Sequence, residues 1–195
     1  MPRSELADLL SRLHDADDPA AAETAIWDRF GRVRTIFVSD MSGFSRITRK
    51  HGIVHFLALI HRMRSLGAPV VEAHGGRLVK SVADNLFATF DDPEAALRAA
   101  HALHTELAEW SAGRHEDERV QVAVGVGHGR ILDLDGEDCF GDQVNLAFKL
   151  GEDIAEGGET LLTGAVRNHL GQHPWTLEQR ARRIAGLDLP YWAVR

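Results

Sequence analysis

The chain has 195 residues, enough for one domain with a hydrophobic core and a short appendage. Hydrophobic residues make up 44% of it and charged residues 26%, as in an ordinary globular protein, and the single cysteine, Cys139, excludes an intramolecular disulfide. A formal net charge of -7 argues against binding nucleic acid through a general excess of positive charge.

Residues 1–31 predict a helical extension ahead of the main domain. Four leucines between positions 6 and 13 recur at helical spacing, and after a break at residues 15–19 a second amphipathic segment runs to Phe30. Acidic residues appear before any long apolar run, which makes the first segment a poor signal peptide. No stretch approaches the roughly 20 apolar residues of a membrane-spanning helix, so we expect a cytoplasmic protein without a membrane contact.

Residues 32–195 predict one α+β domain. The six elements of its core follow the order strand, helix, strand, strand, helix, strand, at residues 35–40, 53–63, 77–82, 85–90, 93–110 and 120–126. A further helix at 144–154, a strand at 160–163 and a terminal pair of strands follow. The βαββαβ order is that of ferredoxin-like folds, and because this superfold hosts many functions, the architecture alone names none.

Glycines at positions 125, 127 and 129 follow the alternating valines of the strand that begins at Val120. They resemble part of a dinucleotide-binding fingerprint, but no third glycine falls at the required step and no helix follows. We therefore interpret them as a place where the strand packs tightly.

Two aspartates are the first candidates for chemistry. Asp40 ends a buried strand and precedes a turn of small residues, and Asp84 lies at the junction of the predicted hairpin. Either one alone is as easily explained by a helix cap or a turn. In a βαββ core, however, the first strand lies beside the hairpin, so both carboxylates are expected at one sheet edge, where they repel unless cations bridge them. Because Mg²⁺ prefers carboxylates together with substrate phosphates, the pair predicts a two-metal nucleotide site.

Three segments carry a family resemblance. In chain order they are FVSDMSGFSRIT, GGRLVKSVADNLFATF and DCFGDQVNLAFKL, at residues 37–48, 75–90 and 138–150. They resemble the three signature blocks of class III adenylate and guanylate cyclases, and the resemblance covers about residues 35–163. It implies that residues 32–195 form a cyclase catalytic domain with the class III fold, and that the protein is an adenylate cyclase making 3′,5′-cyclic AMP and pyrophosphate from ATP.

The resemblance assigns the metal site first. Asp40 and Asp84 match the two metal-binding aspartates of the family, which hold two Mg²⁺ or Mn²⁺ ions in each site. Met41 matches the residue that adds its backbone carbonyl to one ion. Phe44, in the turn that follows, is an expected contact of the substrate.

Base recognition is implied by two further positions. Lys80, four residues before Asp84, matches the residue that reads the purine, and Asp138, seven residues before Asn145, matches its partner. A lysine can donate to adenine N1, and a carboxylate can accept from the exocyclic amine. Because guanine presents the opposite polarity, the resemblance favours ATP over GTP.

Two positions depart from the family pattern. Asn145 matches the residue that orients the ribose, and four residues later, where the family usually has an arginine, this chain has Lys149. Lysine keeps the positive charge but loses the planar fork of arginine. Near the C-terminus, Ala185 stands where the family commonly has a lysine. Both changes weaken electrostatic stabilisation of the transferring phosphoryl group and so predict a slower reaction.

The resemblance also implies a head-to-tail homodimer with shared sites. One chain supplies Asp40 and Asp84, and its partner supplies the base-reading pair, Asn145 and Lys149. Two alternatives remain open at this stage. The first is a catalytically weak cyclase-homology domain that binds nucleotide or dimerises as a signalling module. The second is a cyclase that uses another nucleoside triphosphate.

Overall fold

The computed structural model describes residues 2–14, 18–184 and 187–195. Eight strands lie within these ranges: β1 Gly31–Met41, β2 Arg77–Val82, β3 Asn85–Phe90, β4 Val122–Asp133, β5 Cys139–Phe140, β6 Thr160–Thr163, β7 Leu177–Ile184 and β8 Leu187–Val194. The same ranges contain seven α-helices: α1 Pro2–His14, α2 Pro19–Phe30, α3 Phe44–His51, α4 Ile53–Ala73, α5 Pro93–Ser111, α6 Asp142–Phe148 and α7 Gly164–His169. A 3₁₀ turn at Glu116–Glu118 precedes β4, and a π-helical turn at Lys149–Ile154 continues α6.

The strands form one sheet in the order β2-β3-β1-β4-β6-β8-β7, with β5 paired to β4. β1 is central and antiparallel to both β3 and β4, whereas β4 and β6 are parallel. This arrangement confirms the predicted βαββαβ core with its first strand beside the hairpin. The predicted strand at residues 160–163 and the terminal strand pair are present as well. Ala185 lies outside the described residues.

β1 is buried on both faces, from Thr35 to Ser39. Side chains of a strand alternate between its two faces, so Phe37 joins the core beneath α4 and α5, while Ile36 and Val38 join a second core beneath α6. Asp40 continues the series 36, 38 and 40. It therefore leaves the sheet on the face that α6 covers.

Close contact between β4 and α6 depends on two glycines. A Cβ at Gly125 would lie 2.1 Å from the carbonyl oxygen of Ala147, and one at Gly127 would lie 2.5 Å from that of Gln143. Any other residue at these positions would push α6 away from the sheet. The interpretation of these glycines as a tight packing site is confirmed.

The N-terminal helices form where the sequence predicts them. Asp18 caps α2, since its side chain accepts hydrogen bonds from the backbone N–H groups of Ala20 and Ala21, both at 3.1 Å. No helix of the described ranges combines the length and the apolar character needed to cross a membrane.

A buried carboxylate fixes α3, the helix that begins just after the Asp40 turn. The Asp117 side chain is 4% exposed and accepts a hydrogen bond from Arg46 at 2.9 Å. It also forms an ion pair with Lys50 and accepts a hydrogen bond from Nε2 of His51 at 3.0 Å, and all three donors lie on α3. The bond from Lys50, followed by that from His51, lowers the pKa of Asp117 below its ordinary value.

This lowered pKa predicts a loss of stability in acid. A carboxyl group whose pKa is lower in the folded chain stabilises the fold above its unfolded pKa, and this contribution is lost as the pH falls through the folded value. We expect Asp117→Asn to lower the melting temperature at pH 7, and the difference from wild type to shrink below about pH 4. Calorimetry from pH 7 to below about pH 4 measures the difference in melting temperature between the two proteins. The neighbouring Glu116→Gln is the control, because the Glu116 side chain is 77% exposed, and a constant difference for Asp117→Asn would contradict the prediction.

Candidate active site

The structure brings Asp40 and Asp84 to the same end of the sheet. Asp40 is the last residue but one of β1, and its partner across the antiparallel pair is Asn85, the first residue of β3. Asp84 immediately precedes Asn85 in the turn from β2, where Ala83 has a positive φ of 48°. The strand register therefore creates the juxtaposition that the sequence predicted.

Electrostatics mark Asp40 as an unusual carboxylate. Burial raises the pKa of Asp40 to about 7, with further increases from the negative charges of Asp84, Glu152 and Asp153. Glu152 and Asp153 are exposed, and Glu152 accepts a hydrogen bond from Asn85. The π-helical turn that carries both acids packs against β1 and β4, on the face where Asp40 leaves the sheet. An excess of negative charge thus accumulates where a cation would be stabilised.

The residues present fit a divalent cation that also binds a substrate. Within the described residues, no three His, Cys, Asp or Glu side chains form a ligand cluster, so the protein offers two carboxylates rather than a closed cage. Mg²⁺ is commonly held in this way, by one or two carboxylates together with phosphate oxygens. Beside the pair, the buried Oδ1 atom of Asn85 has no hydrogen-bond partner from the described protein, which leaves one more polar atom for a hydrated ion or a ligand.

Met41 and Phe44 flank this site. Met41 ends β1 and its side chain is buried in the core beneath α4, so a contact with a ligand would have to come from its backbone. Phe44 opens α3, is 48% exposed, and packs edge-on against Phe56 with ring centroids 4.9 Å apart. The exposed ring of Phe44 is therefore accessible to a ligand close in the chain to Met41.

Lys80 and Asp138 form the second group of predicted residues. The Lys80 ammonium donates to Oδ1 of Asp138 at 2.7 Å, and the backbone N–H of Cys139 donates to the same oxygen at 2.9 Å. Lys80 also lies 5.7 Å from the centroid of the Phe87 ring. The Cys139 thiol is buried and burial raises its pKa to about 12, so it is a protonated, inert group beside this pair.

Asn145 and Lys149 form a third group, on the helix that packs against β4. Asn145 is exposed on α6, and Lys149 begins the π-helical turn and forms an ion pair with Asp153. Among the described residues, neither side chain makes a hydrogen bond or ion pair with Asp40 or Asp84 of the same chain. π-helical turns are uncommon and are frequent at functional sites.

One contact at this site was missed by sequence reasoning. Arg3, on α1, donates from Nη2 to Oδ2 of Asp138 at 3.1 Å, although 135 positions separate the two residues. The sequence predicted the helix but gave it no role. No periodicity or motif pairs an N-terminal arginine with a distant aspartate, so only the packing of α1 reveals the contact.

Comparisons with known proteins find relatives by sequence and by fold. An uncharacterized protein of Mycobacterium tuberculosis is 31% identical over 189 residues, which are 96% of this chain and 48% of that protein. A Streptomyces coelicolor protein named adenylate cyclase is 32% identical over 112 residues, 57% of this chain and 28% of its own length. A solved structure described as an adenylate/guanylate cyclase/hydrolase from Silicibacter pomeroyi superposes with a TM-score of 0.69 and 27% identity, over 84% of this chain and 96% of that one.

No family model matches the chain. It spans about half the length of the mycobacterial relative and less of the streptomycete one. The solved cyclase structure, in contrast, is covered almost completely, so the region of likeness is a whole folded domain.

Proposed function

Because the chain belongs to the class III adenylate and guanylate cyclase catalytic-domain family, we propose that it is an adenylate cyclase. The reaction is attack of the ribose 3′ oxygen on the α-phosphorus of ATP. The bond from that phosphorus to the bridging oxygen of the β-phosphate breaks, pyrophosphate leaves, and the hydroxyl proton is released. The observation that carries the choice of substrate is the pairing of Lys80 with Asp138.

Asp40, Asp84 and the carbonyl of Met41 would hold two divalent cations, Mg²⁺ or Mn²⁺. Such ions lower the pKa of the attacking hydroxyl and neutralise charge on the triphosphate. Asp40 contributes a carboxylate that burial and like charges have made basic, so it gains more from a nearby cation than an ordinary surface aspartate does.

The Lys80–Asp138 pair supports adenine as the base. In the structure these two groups form an ion pair. Adenine N1 is an acceptor for the ammonium, and the exocyclic amine is a donor for the carboxylate, so both charged groups keep a partner when adenine binds. Guanine has an N1–H and a carbonyl at the same edge, which would leave the charges mismatched and incompletely hydrogen-bonded.

A homodimer with shared sites is part of the proposal. In the proposed head-to-tail arrangement, a second copy would supply Asn145 and Lys149 to the aspartate pair of the first. The surface beside the aspartates supports this assembly, because exposed apolar side chains cluster at the start of α4 next to Phe44: Ile53, Val54 and Leu57. A patch of this kind, which includes Val54 at 77% exposure, is typical of an interface.

A catalytically weak signalling domain is the second candidate function, and the state of Lys149 favours it. Asp153 holds the Lys149 ammonium in an ion pair, so this cation is already neutralised where the family pattern has an arginine. If the pair persisted during the reaction, the transferring phosphoryl group would lose part of its electrostatic stabilisation. The domain would then bind the nucleotide but convert it to product only slowly.

One assay separates these functions. We expect the purified chain, incubated with each of the four ribonucleoside triphosphates and with Mn²⁺, Mg²⁺ or no metal, to form cyclic AMP from ATP only when metal is present. Chromatography of the cyclic product measures it. Metal-dependent ATP binding without product would leave the binding domain as the function. A preference for GTP would show that the assignment of Lys80 and Asp138 is wrong, and product from a pyrimidine triphosphate would point to a different substrate class.

A further inference from the structure

Both oxygens of the Asp138 carboxylate accept hydrogen bonds in the structure. Oδ1 accepts from Lys80 at 2.7 Å and from the backbone of Cys139 at 2.9 Å. Oδ2 accepts from Nη2 of Arg3 at 3.1 Å, and the same nitrogen donates to the carbonyl of Glu137 at 3.0 Å. Arg3 therefore sits on the one carboxylate oxygen that Lys80 leaves available to a base.

Arg3 is held there by the seating of α1 on the domain. Leu6, one turn further along this helix, packs with Ile26 and Phe30 of α2 and with Leu134, which lies just before Asp138 in the turn between β4 and β5. This cluster is small and separate from the two cores of the sheet. The free energy that holds α1 in place is accordingly modest.

Two ion pairs also join α1, α2 and the turn between β4 and β5. Arg29 of α2 binds both carboxylate oxygens of Glu5 on α1, at 2.9 and 3.0 Å, and also contacts Asp135 in the β4–β5 turn at 3.2 Å. Salt bridges as exposed as these contribute little free energy each. These contacts therefore specify the position of α1 but contribute little to the free energy that holds it there.

Base recognition and the seating of α1 make competing demands on Asp138. In the proposed site the exocyclic amine of adenine donates to this carboxylate while Lys80 serves the ring nitrogen. While Lys80 and the backbone N–H of Cys139 remain on Oδ1, a guanidinium that already donates to Oδ2 must move aside or share that oxygen with a neutral amine. The Arg3 side chain is 59% exposed, so its release into water is feasible but not free of cost.

We propose that Arg3 competes with the exocyclic amine of adenine for Oδ2 of Asp138, so that seating of α1 lowers the affinity of the site for adenine nucleotides. This inference rests on the proposed function, because it uses Asp138 as a base-reading residue. Arg3 is a positioning residue in this scheme. Release of α1, by any partner that binds it, would raise the affinity for the nucleotide.

The sign of the effect distinguishes this role from simple charge attraction. A positive charge near a triphosphate site strengthens binding of every triphosphate, so removing it would weaken them all. Competition for Asp138 predicts the reverse for adenine nucleotides alone. The test therefore needs one probe that carries the base and one that lacks it.

The probes are 3′-deoxy-ATP, which lacks the attacking hydroxyl and cannot be cyclised, and inorganic tripolyphosphate, both with Mn²⁺ and measured by titration calorimetry on the full chain. We expect Arg3→Ala to bind 3′-deoxy-ATP about two- to five-fold more tightly than wild type, the range that an exposed ion pair supplies. Tripolyphosphate should bind no more tightly. The matched control is Arg12→Ala, which removes an exposed arginine of α1 that makes no ion pair with Asp138 among the described residues. Arg3→Lys should fall between wild type and Arg3→Ala.

Each contrary outcome has a distinct meaning. If wild type binds 3′-deoxy-ATP and Arg3→Ala binds it equally or more weakly, the inference is wrong while the proposed function stands. An equal gain for tripolyphosphate, or for Arg12→Ala, would also overturn it, because the effect would then not depend on the base or on Arg3. If wild type and all variants fail to bind 3′-deoxy-ATP, the proposed function itself is overturned and this inference with it.

Discussion

Asp40→Asn is expected to reduce cyclic AMP formation at least about 100-fold, because a metal-bound carboxylate supplies several kcal/mol of transition-state stabilisation. Asparagine has nearly the same shape as aspartate, so the register between β1 and β3 should survive. The loss should appear in the rate at saturating ATP and Mn²⁺, measured by chromatography of the product. Asp91→Asn is the matched control, since Asp91 is 86% exposed at the far end of the hairpin.

The same variant should gain stability when no metal is present. The pKa of Asp40 is raised to about 7 in the folded chain, so its ionisation destabilises the fold, and wild type loses stability as the pH rises from the unfolded pKa, about 4, to above 7. At pH 8 without metal, Asp40→Asn should melt at a higher temperature than wild type. Added Mn²⁺ should raise the melting temperature of wild type more than that of the variant.

Two results would contradict this prediction. Activity of Asp40→Asn within a few-fold of wild type would remove Asp40 from the metal site. A variant that melts at a lower temperature than wild type in metal-free buffer at pH 8 would show that Asp40 stabilises the fold as a structural carboxylate. Loss of activity together with a gain in stability is the combination that a buried, repelled metal ligand predicts.

Gly125→Ala is expected to destabilise the domain by about 2–4 kcal/mol, since overpacking against backbone atoms cannot be relieved by a change of rotamer. The added methyl group would lie 2.1 Å from the carbonyl oxygen of Ala147 and 2.5 Å from the backbone nitrogen of Gly151. For a chain of this size the melting temperature should fall by about 5–15 °C.

Activity should fall as well, because the displaced segment carries Asn145 and Lys149. The control is Gly171→Ala, since no heavy atom lies within 4 Å of a Cβ built at Gly171 and its φ is not in the left-handed region. Differential scanning calorimetry measures the stability, and the cyclase assay at 20 °C measures the activity. A melting temperature within about 2 °C of wild type would show that α6 can move away from β4 at little cost, and the close packing would then not be what positions this helix.

Much of the fold could be predicted because its signals are local. Alternating and helical patterns of apolar residues mark the strands and helices of the core, and the order of these elements restricts the topology to a few arrangements. The approach of Asp40 to Asp84 followed from this order alone, since a first strand beside a hairpin brings their ends together. The glycines of β4 could be interpreted as a packing site because their spacing along the strand is a local feature of the sequence.

Side-chain contacts that depend on how distant segments pack, and not on the order of the elements, could not be predicted. Glu152 is exposed, yet the π-helical turn places it where it accepts a hydrogen bond from Asn85 and its charge raises the pKa of Asp40. Helical periodicity assumes 3.6 residues per turn and does not anticipate a π turn. The contact of Arg3 with Asp138, 135 positions away in the sequence, likewise could not be predicted from a local pattern.

The sequence by itself therefore determined the order of elements, the positions of the candidate residues and, through three signature segments, the family. Only the tertiary structure decided which of these groups interact: Lys80 and Arg3 with Asp138, Asp153 with Lys149, and four acids around the end of β1. The physical reason is the difference between separation along the chain and distance in space. Burial patterns and motifs are encoded by neighbours in the chain, whereas charge pairing and pKa depend on distances of a few ångströms that packing alone sets.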